Sequence, residues 1–424
     1  MKQLNVNDAN VLIIGGGGRE HALGMQLEVD GVNNLFFAPG NGGTAEIGEN
    51  IPLNLKNFDE IYEFVQKTKI DLIVVGPEDP LADGIVDYFR ERNILIVGPT
   101  KAAAQIESSK IFARNLMAEA MIPQPNFIVC PDEDATRQAI FLFGSPVVLK
   151  VDGLAAGKGA FVCKSADDIE EAMNAIYKEN KFGVGPILVE ECLVGQEISV
   201  FALCDNLEYT VIGTAQDYKR LLDGDLGPNT GGMGSISPSP LILKKPKLLD
   251  EIKKAIITPV LEAMNKNETP FTGFLYCGLM IVDGYPQVIE FNCRLGDPET
   301  QVIMQLISGN FFYALWWAAN NRLSPNLGQY NLSAAFVVKV AKGYPGKYEK
   351  NKIITFVGNE PSSCDIIHAG TKIDEQGNLV TNGGRVIGAL GMGPNLDKAV
   401  KSAYLGLDTI KFEDEFYRKD IGKF

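Results

Sequence analysis

Histidine is nearly missing from this chain: His21 and His368 are the only two in 424 residues. That excludes most chemistry built on imidazole, including Ser–His triads and His-rich zinc sites. Cysteines at metal or redox spacing are missing too. The seven that occur (130, 163, 192, 204, 277, 293 and 364) form no C-x-x-C and are odd in number, the pattern of reduced, buried thiols. The longest apolar run, FFYALWWAA at 311–319, falls well short of the ~20 residues a membrane span needs. The opening MKQLNVNDAN is polar, and VLII is too short for the apolar core of a signal sequence. Positive charge is scarce as well. A net charge of −14 argues against a nucleic-acid partner, which requires a basic face. A soluble, cytoplasmic protein is expected, with neither nucleic acid nor membrane as partner. Any polyanionic ligand must be held by local N–H groups, Lys, Arg or metal. Internal repeats and low-complexity tracts are absent.

What is present is a globular composition, 46% apolar and 22% charged, in a chain long enough for roughly two to four domains. Across 11–119, VLIIGG, LFFAPG, DLIVVGPE and ILIVGPT alternate with segments of helical period such as 57–68 and 81–92. Continuous apolar strands between helices imply a parallel sheet covered on both faces, with ligands beyond the carboxyl ends of its strands. The run GGGGREHA after the first strand fails as a dinucleotide fingerprint. The third glycine of G-x-G-x-x-G falls on Glu20 or His21, and LFFAPGNGG carries no acidic residue for a ribose. The glycines and the following helix start suit a phosphate or sugar phosphate, or serve only close strand–helix packing.

A link at AMIPQP (120–125) leads to a second unit. There PVVLK runs into VDGLAAGKGA and then AFVC. Gly153 and Gly157 have three residues between them where a P-loop needs four, and Lys158 is followed by Gly159, so this is no P-loop. It reads as strand–glycine loop–strand, either a flap of N–H groups over phosphates with Lys158 as a mobile charge, or an ordinary hairpin. Lys150, ending the entering strand, can reach nucleotide phosphates; Lys110 in ESSKIFAR is either a second such cation or a surface lysine. Glu190 and Glu191 at a strand end and Glu197 just beyond can meet an adenine amino group and a ribose hydroxyl, or form a charged hairpin end. Late in the chain, Glu290 and Asn292 alternate with Ile289, Phe291 and Cys293, so they share a strand face. A carboxylate beside an amide oxygen suits a hard divalent cation shared with substrate phosphates, and Arg294 continues that face; alternatively the three simply face solvent. In QDYKRLLDGDLGPNTGGMG, Asp217, Lys219 and Arg220 precede a turn-rich loop able to offer N–H donors to a carboxylate or phosphate. From about 331, AAFVVKVA, KIITFV and RVIGAL with a helix over 396–409 read as a small β-rich tail.

In this order the motifs resemble the ATP-grasp superfamily. More closely, GGGGREHAL, APGNGGT, VGPEDPL, DGLAAGKG, GPNTGGMG, TGFLYCGLM, VIEFNCRLGDPETQ, HAGTK, TNGGRV and YRKDIG resemble the phosphoribosylamine–glycine ligase (glycinamide ribonucleotide synthetase) family of purine biosynthesis, over essentially the whole chain. The resemblance implies a multidomain α/β fold: an N-terminal parallel α/β domain at 1–108, an ATP-grasp core at 109–328 with a lid at about 125–195, and a β-rich C-terminal domain at 329–424. It implies ligation of glycine to 5-phosphoribosylamine with ATP and Mg²⁺ (or Mn²⁺), by a monomer or weak dimer. Lys110, Lys150 and the loop 151–159, with Asp152, Gly153, Gly157, Lys158 and Gly159, would hold the ATP phosphates. Glu190, Glu191 and Leu193 would lie at the adenine, Glu197 at the ribose, and Glu290 and Asn292 on the metal. Arg294, Asp217, Lys219 and the loop 229–234, with Gly231, Gly232, Met233 and Gly234, would face glycine as it is activated. Gly16, Gly17, Gly18 and Asn41 would meet the phosphoribosyl group. Two departures stand out: Tyr218 replaces the family's usual His, and FLYCGLM carries no carboxylate for a second metal ligand. A bicarbonate-using carboxylase of the same superfamily is the rival reading. A non-enzymatic nucleotide sensor would be expected to have lost Glu290, Asn292 or Lys150.

Overall fold

Residues 4–155, 159–183, 185–323, 327–358 and 361–423 are described by a computed structural model. Five parallel strands open the chain, in spatial order Glu49–Asn50, Asn34–Pro39, Asn10–Gly15, Leu72–Val75, Ile96–Val97. Val11 to Ile14 and Leu72 to Val75 are wholly buried, as a sheet covered on both faces demands. The helix expected over 57–68 forms at Phe58–Thr68, capped by Asn57. The one expected over 81–92 is instead two short helices, Glu78–Asp83 and Ile85–Arg90, divided at Gly84, whose φ of 96° ends one and starts the next.

The second sheet is the backbone of the molecule. Its strands run Tyr285–Asn292, Thr272–Val282, Gln196–Asp205, Glu208–Asp217, Gly234–Ser237, Ser333–Ala341, Arg385–Gly393, Cys364–His368. Along Thr272–Val282 the side chains alternate between two cores. Phe274 and Tyr276 join one cluster, while Leu275, Cys277 and Leu279 join another under the helix Thr258–Lys266. Ser333–Ala341 pairs directly with Gly234–Ser237, so the C-terminal strands extend the central sheet. The tail's expected strand KIITFV survives only as Thr355–Phe356. The polar stretch 216–240 holds more order than its composition suggests: a hairpin of Arg220–Leu222 and Leu226–Asn229, then a buried strand.

A third, four-stranded antiparallel sheet stands apart: Phe127–Cys130, Ile187–Glu191, Val147–Val151, Ala160–Cys163. Its own small core includes Val147, Leu149, Cys163, Met173 and Val189. Val147–Val151 and Ala160–Cys163 form the hairpin around the glycine loop. Among the described residues, no helix is long and apolar enough to cross a membrane, and all seven cysteines are free thiols.

Candidate active site

Glu290 lies opposite Gly278 and Asn292 opposite Tyr276 in the pairing of the last two core strands, so both side chains leave the same face. Phe291 and Cys293 are buried on the other. Burial opposes ionisation of Glu290, but Lys219, Lys150, Arg294 and Lys110 together hold its carboxyl below the usual range. Asn292 donates its Nδ2 to Glu107 at 3.0 Å, which leaves its amide oxygen for a cation. A carboxylate and an amide oxygen are hard donors that fit a divalent ion completing its shell on phosphates. Among the described residues, no group of three or more His, Cys, Asp and Glu could hold a metal unaided. Arg294 stands just past the strand, gripped by Glu78 at 3.1 Å and Glu107 at 2.8 Å.

Lys150 is almost fully buried at the end of Val147–Val151. Its Nζ meets Glu190 at 2.9 Å and the carbonyl of Ile289 at 3.1 Å, next to Glu290 in sequence. Arg114 closes on Glu190 from the other side at 2.7 Å and 2.9 Å, and donates to the carbonyls of Val288 and Ile289. Glu190 and Glu191, neighbours on one strand, therefore separate: Glu190 neutralises two buried cations, while Glu191 is exposed and bonded to Asn126. Leu193 lies half-buried in the loop that follows, and Glu197 is exposed.

Lys110 opens the helix Lys110–Glu119 and donates to the carbonyl of Gly153 at 2.7 Å, which places it beside the glycine loop. Asp152 points backwards, accepting from the Ser109 hydroxyl and the Ile111 N–H at that helix start. Gly159 accepts from the N–H of Val151. Gly157 and Lys158 fall outside the described residues.

On the remaining wall stand Asp217 and Lys219, in one pocket with Glu197, Ser199, Tyr276 and Glu290. Oδ1 of Asp217 is buried and without a hydrogen-bond partner. Burial, and next the Glu299 carboxylate, push Asp217 well up. Such an oxygen is costly to leave unmet and suits an incoming cationic or N–H group. Lys219 lies 3.4 Å from Glu197. The loop behind is fixed by backbone bonds, Thr230 N–H to Lys219 O at 2.8 Å and Met233 N–H to Tyr218 O at 2.8 Å. Gly232 adopts φ 111°, and a Cβ there would collide with Pro298. Met233 is wholly buried, so it serves the loop through packing and its backbone. Gly234 passes so near Phe336 O that no side chain fits.

Tyr218 points away from the pocket. Its hydroxyl accepts from the Gly422 N–H at 3.0 Å, and Arg418 lies 5.2 Å from its ring centre. Arg418, itself nearly unexposed, also pairs with Asp225 and Asp420 at 2.8 Å. The residue standing for the usual His is thus a docking point for YRKDIG.

At the first sheet, Gly17 N–H donates to Glu20 at 2.6 Å, the one half of a capping box that a glycine N-cap allows on the helix Gly18–Val29. The amide of Asn41 is spent on the chain itself, donating to the carbonyls of Gly16, Gly17 and His368 and accepting from Gly43 and Thr44. It shapes the loop around Gly16, Gly17 and Gly18. Sequence reasoning missed Glu78, Glu107, Arg114, Asp297, Glu299 and Arg385. Each acts through a partner more than 75 residues away or lies in a motif whose local spacing carries no chemistry.

A hairpin carrying the glycine loop, the buried Lys150 with the half-buried Lys110 nearby, and a Glu-x-Asn strand face define an ATP-grasp enzyme. Three family models match in succession: the phosphoribosylglycinamide synthetase N domain over 9–107, its ATP-grasp (A) domain over 108–300 and its C domain over 334–424. The chain belongs to the phosphoribosylglycinamide synthetase family. It is 40% identical over 420 residues to a phosphoribosylamine–glycine ligase of Nostoc sp., covering 97% of this chain and 98% of that one. It is 41% identical to that of Mesorhizobium japonicum, covering 97% of each. The crystal structure of the Thermotoga maritima phosphoribosylamine–glycine ligase superposes with a TM-score of 0.85 at 35% identity, covering 97% of this chain and 100% of that one. Biotin carboxylase from Campylobacter jejuni, at 15% identity and TM-score 0.74, shares the fold alone, over 97% of this chain and 94% of that one.

Proposed function

We infer that this ligase joins glycine to 5-phosphoribosylamine with cleavage of ATP, giving glycinamide ribonucleotide, ADP and phosphate. One observation carries the reading: Glu290, on the strand face it shares with Asn292, lines one pocket with Lys219 and with Asp217, whose buried oxygen is unpartnered. Nucleotide phosphates and a small zwitterion can meet there. Lys150, Lys110 and the loop 151–159 hold the phosphates. Glu190, Glu191 and Leu193 lie on the adenine side, Glu190 through the Lys150 it orients, and Glu197 lies at the ribose. Glu290 and Asn292 would hold a divalent cation, which would supply charge neutralisation at the phosphates, with Mg²⁺ the expected ion and Mn²⁺ its substitute. Asp217 receives the glycine ammonium, while Arg294 and Lys219 face its carboxylate and the loop 229–234, its N–H groups at 231, 232 and 233 bonded within the chain, shapes the wall around it. Gly16, Gly17 and Gly18, in the loop shaped by Asn41, meet the phosphoribosyl phosphate.

A glycine carboxylate oxygen attacks the γ-phosphorus, forming the O–P bond of glycyl-phosphate as ADP leaves. The amine of phosphoribosylamine then attacks the acyl carbon. The C–N bond forms, phosphate departs with that oxygen, and the amine loses a proton. The acyl phosphate hydrolyses in open water, which is why the lid must cover it. The units divide at about 108 and 328, the lid spans about 125–195, and the enzyme works in the cytoplasm as a monomer or weak dimer. Glycine labelled with ¹⁸O in both carboxylate oxygens tests the route: one label per turnover should appear in phosphate and one stay in the amide. Unlabelled phosphate alongside normal amide formation rules out acyl-phosphate activation. Bicarbonate-dependent ADP release would point to the carboxylase reading instead.

A further inference from the structure

The TNGGRV motif carries an arginine whose guanidinium leaves the C-terminal strands and enters the site. Nη1 of Arg385 donates to the carbonyl of Gly231 at 2.5 Å and to that of Asp297 at 2.7 Å, while Nη2 pairs with the Asp297 carboxylate at 3.1 Å. Gly231 is held from its other end as well, its N–H donating to the Tyr344 hydroxyl at 2.8 Å. Both backbone groups of one residue in the 229–234 loop are thus fixed by the C-terminal region. The next residue, Gly232, lies against Asp217 and Pro298. Asp297 faces the other way too. A Cβ on Gly17 would lie 3.4 Å from its Oδ2. One on Gly18 would lie 2.6 Å from Gln301 Nε2, which itself donates to Asp297 at 2.7 Å. The Arg385–Asp297 pair therefore stands between the two glycine loops. Its three acceptors are met from two nitrogens of one planar fork, a geometry that the single nitrogen of lysine cannot reproduce.

We propose that Arg385 is a positioning residue that sets the Gly231–Gly232 backbone for glycine and, through Asp297, links that loop to the one at residues 16–18. This rests on the reading that the 229–234 loop and Asp217 face glycine. Were Arg385 only a structural brace, its loss would lower the yield of folded enzyme and leave every KM alone. The test is steady-state ADP release with glycine, phosphoribosylamine and Mg-ATP varied in turn, for Arg385→Ala, Tyr344→Phe and Asp217→Asn. Arg385→Ala should raise the glycine KM about tenfold or more and leave that for Mg-ATP within about twofold. Tyr344→Phe should move the glycine KM the same way by less, and added guanidinium should restore part of the Arg385→Ala loss but none of the Asp217→Asn loss. An unchanged glycine KM in Arg385→Ala, with a raised one in Asp217→Asn, overturns the proposal alone. If neither variant moves it, the glycine-side reading fails with it. Should Arg385→Ala not fold, Tyr344→Phe decides, and an unchanged glycine KM there overturns the proposal.

Discussion

His21 and His368, the only histidines of the chain, lie against each other across 347 residues of sequence. The backbone N–H of His368 donates to His21 Nδ1 at 2.9 Å, the rings meet edge to face at 5.6 Å, and His368 Nδ1 reaches the Thr371 hydroxyl. The pair joins the helix behind the first glycine loop to the strand Cys364–His368. Burial, with the charge of His368 next, lowers His21 to about 3, and burial lowers His368 to about 4.

Both histidines are therefore neutral in the folded protein and gain protons on unfolding below their ordinary value of 6.5. Their effect on stability is nil above pH 6.5 and grows unfavourable as pH falls towards 4 and 3. At pH 5 each costs roughly 2 kcal/mol. His21→Asn keeps an acceptor for the His368 N–H and removes one titration. Urea midpoints should fall less between pH 7.5 and pH 5 in the variant than in the parent; parallel curves would refute the assignment.

Glu290→Gln should keep the fold and lower kcat by about a hundredfold or more, since it removes a charge that acts on the transferring phosphoryl group. Steady-state rates at saturating Mg²⁺ check this. Near-normal kcat would remove Glu290 from the metal site.

Arg114→Ala should destabilise by about 3 kcal/mol or more, because Glu190 keeps a buried charge with half its compensation gone. Burial alone would push Glu190 up, and Lys150 and Arg114 hold it down. Denaturant unfolding reads the loss, and a variant as stable as the parent would show the triad to be structurally idle.

Tyr218→Phe removes one hydrogen bond to the chain's tail, a loss of about 1 kcal/mol. The glycine and ATP KM values should hold, since the hydroxyl faces away from the pocket. A large drop in kcat with unchanged stability would return a proton-transfer role to this position.

Saturating Mg-ATP should slow hydrogen exchange across 151–159, measured by mass spectrometry. Equal exchange with and without nucleotide would mean that this loop does not cover the phosphates.

The strand positions of Glu290 and Asn292 were legible because period two is a local rule, and Lys150 was legible at its strand end. The partners of these residues were not. Nothing in QIESSK tells that Glu107 will bond Asn292, Arg294 and Cys293, because that contact is made where the helix Gln105–Ser108 packs on the distant strand Tyr285–Asn292. The same rule sends Glu190 and Glu191 to opposite faces, but only the pairing of Ile187–Glu191 decides which of them turns inward. Asn41 and Asp152 carried ligand-like chemistry in the sequence that the fold spends on its own backbone. The break at Gly84 was hidden because a helical period continues through it.

The continuous pairing from Tyr285–Asn292 through Gly234–Ser237 to Cys364–His368 leaves no seam where the C-terminal strands could swing free. Under the proposed function, the motion that admits a nucleotide falls to the four-stranded sheet, which is separate and has its own core. That sheet is fastened to the core where Arg114 grips Glu190 and Lys150 grips Ile289 O. Under the proposed function the lysine that holds phosphate thus also fastens the lid, and a substitution there should alter how fast the enzyme opens as well as how tightly it holds.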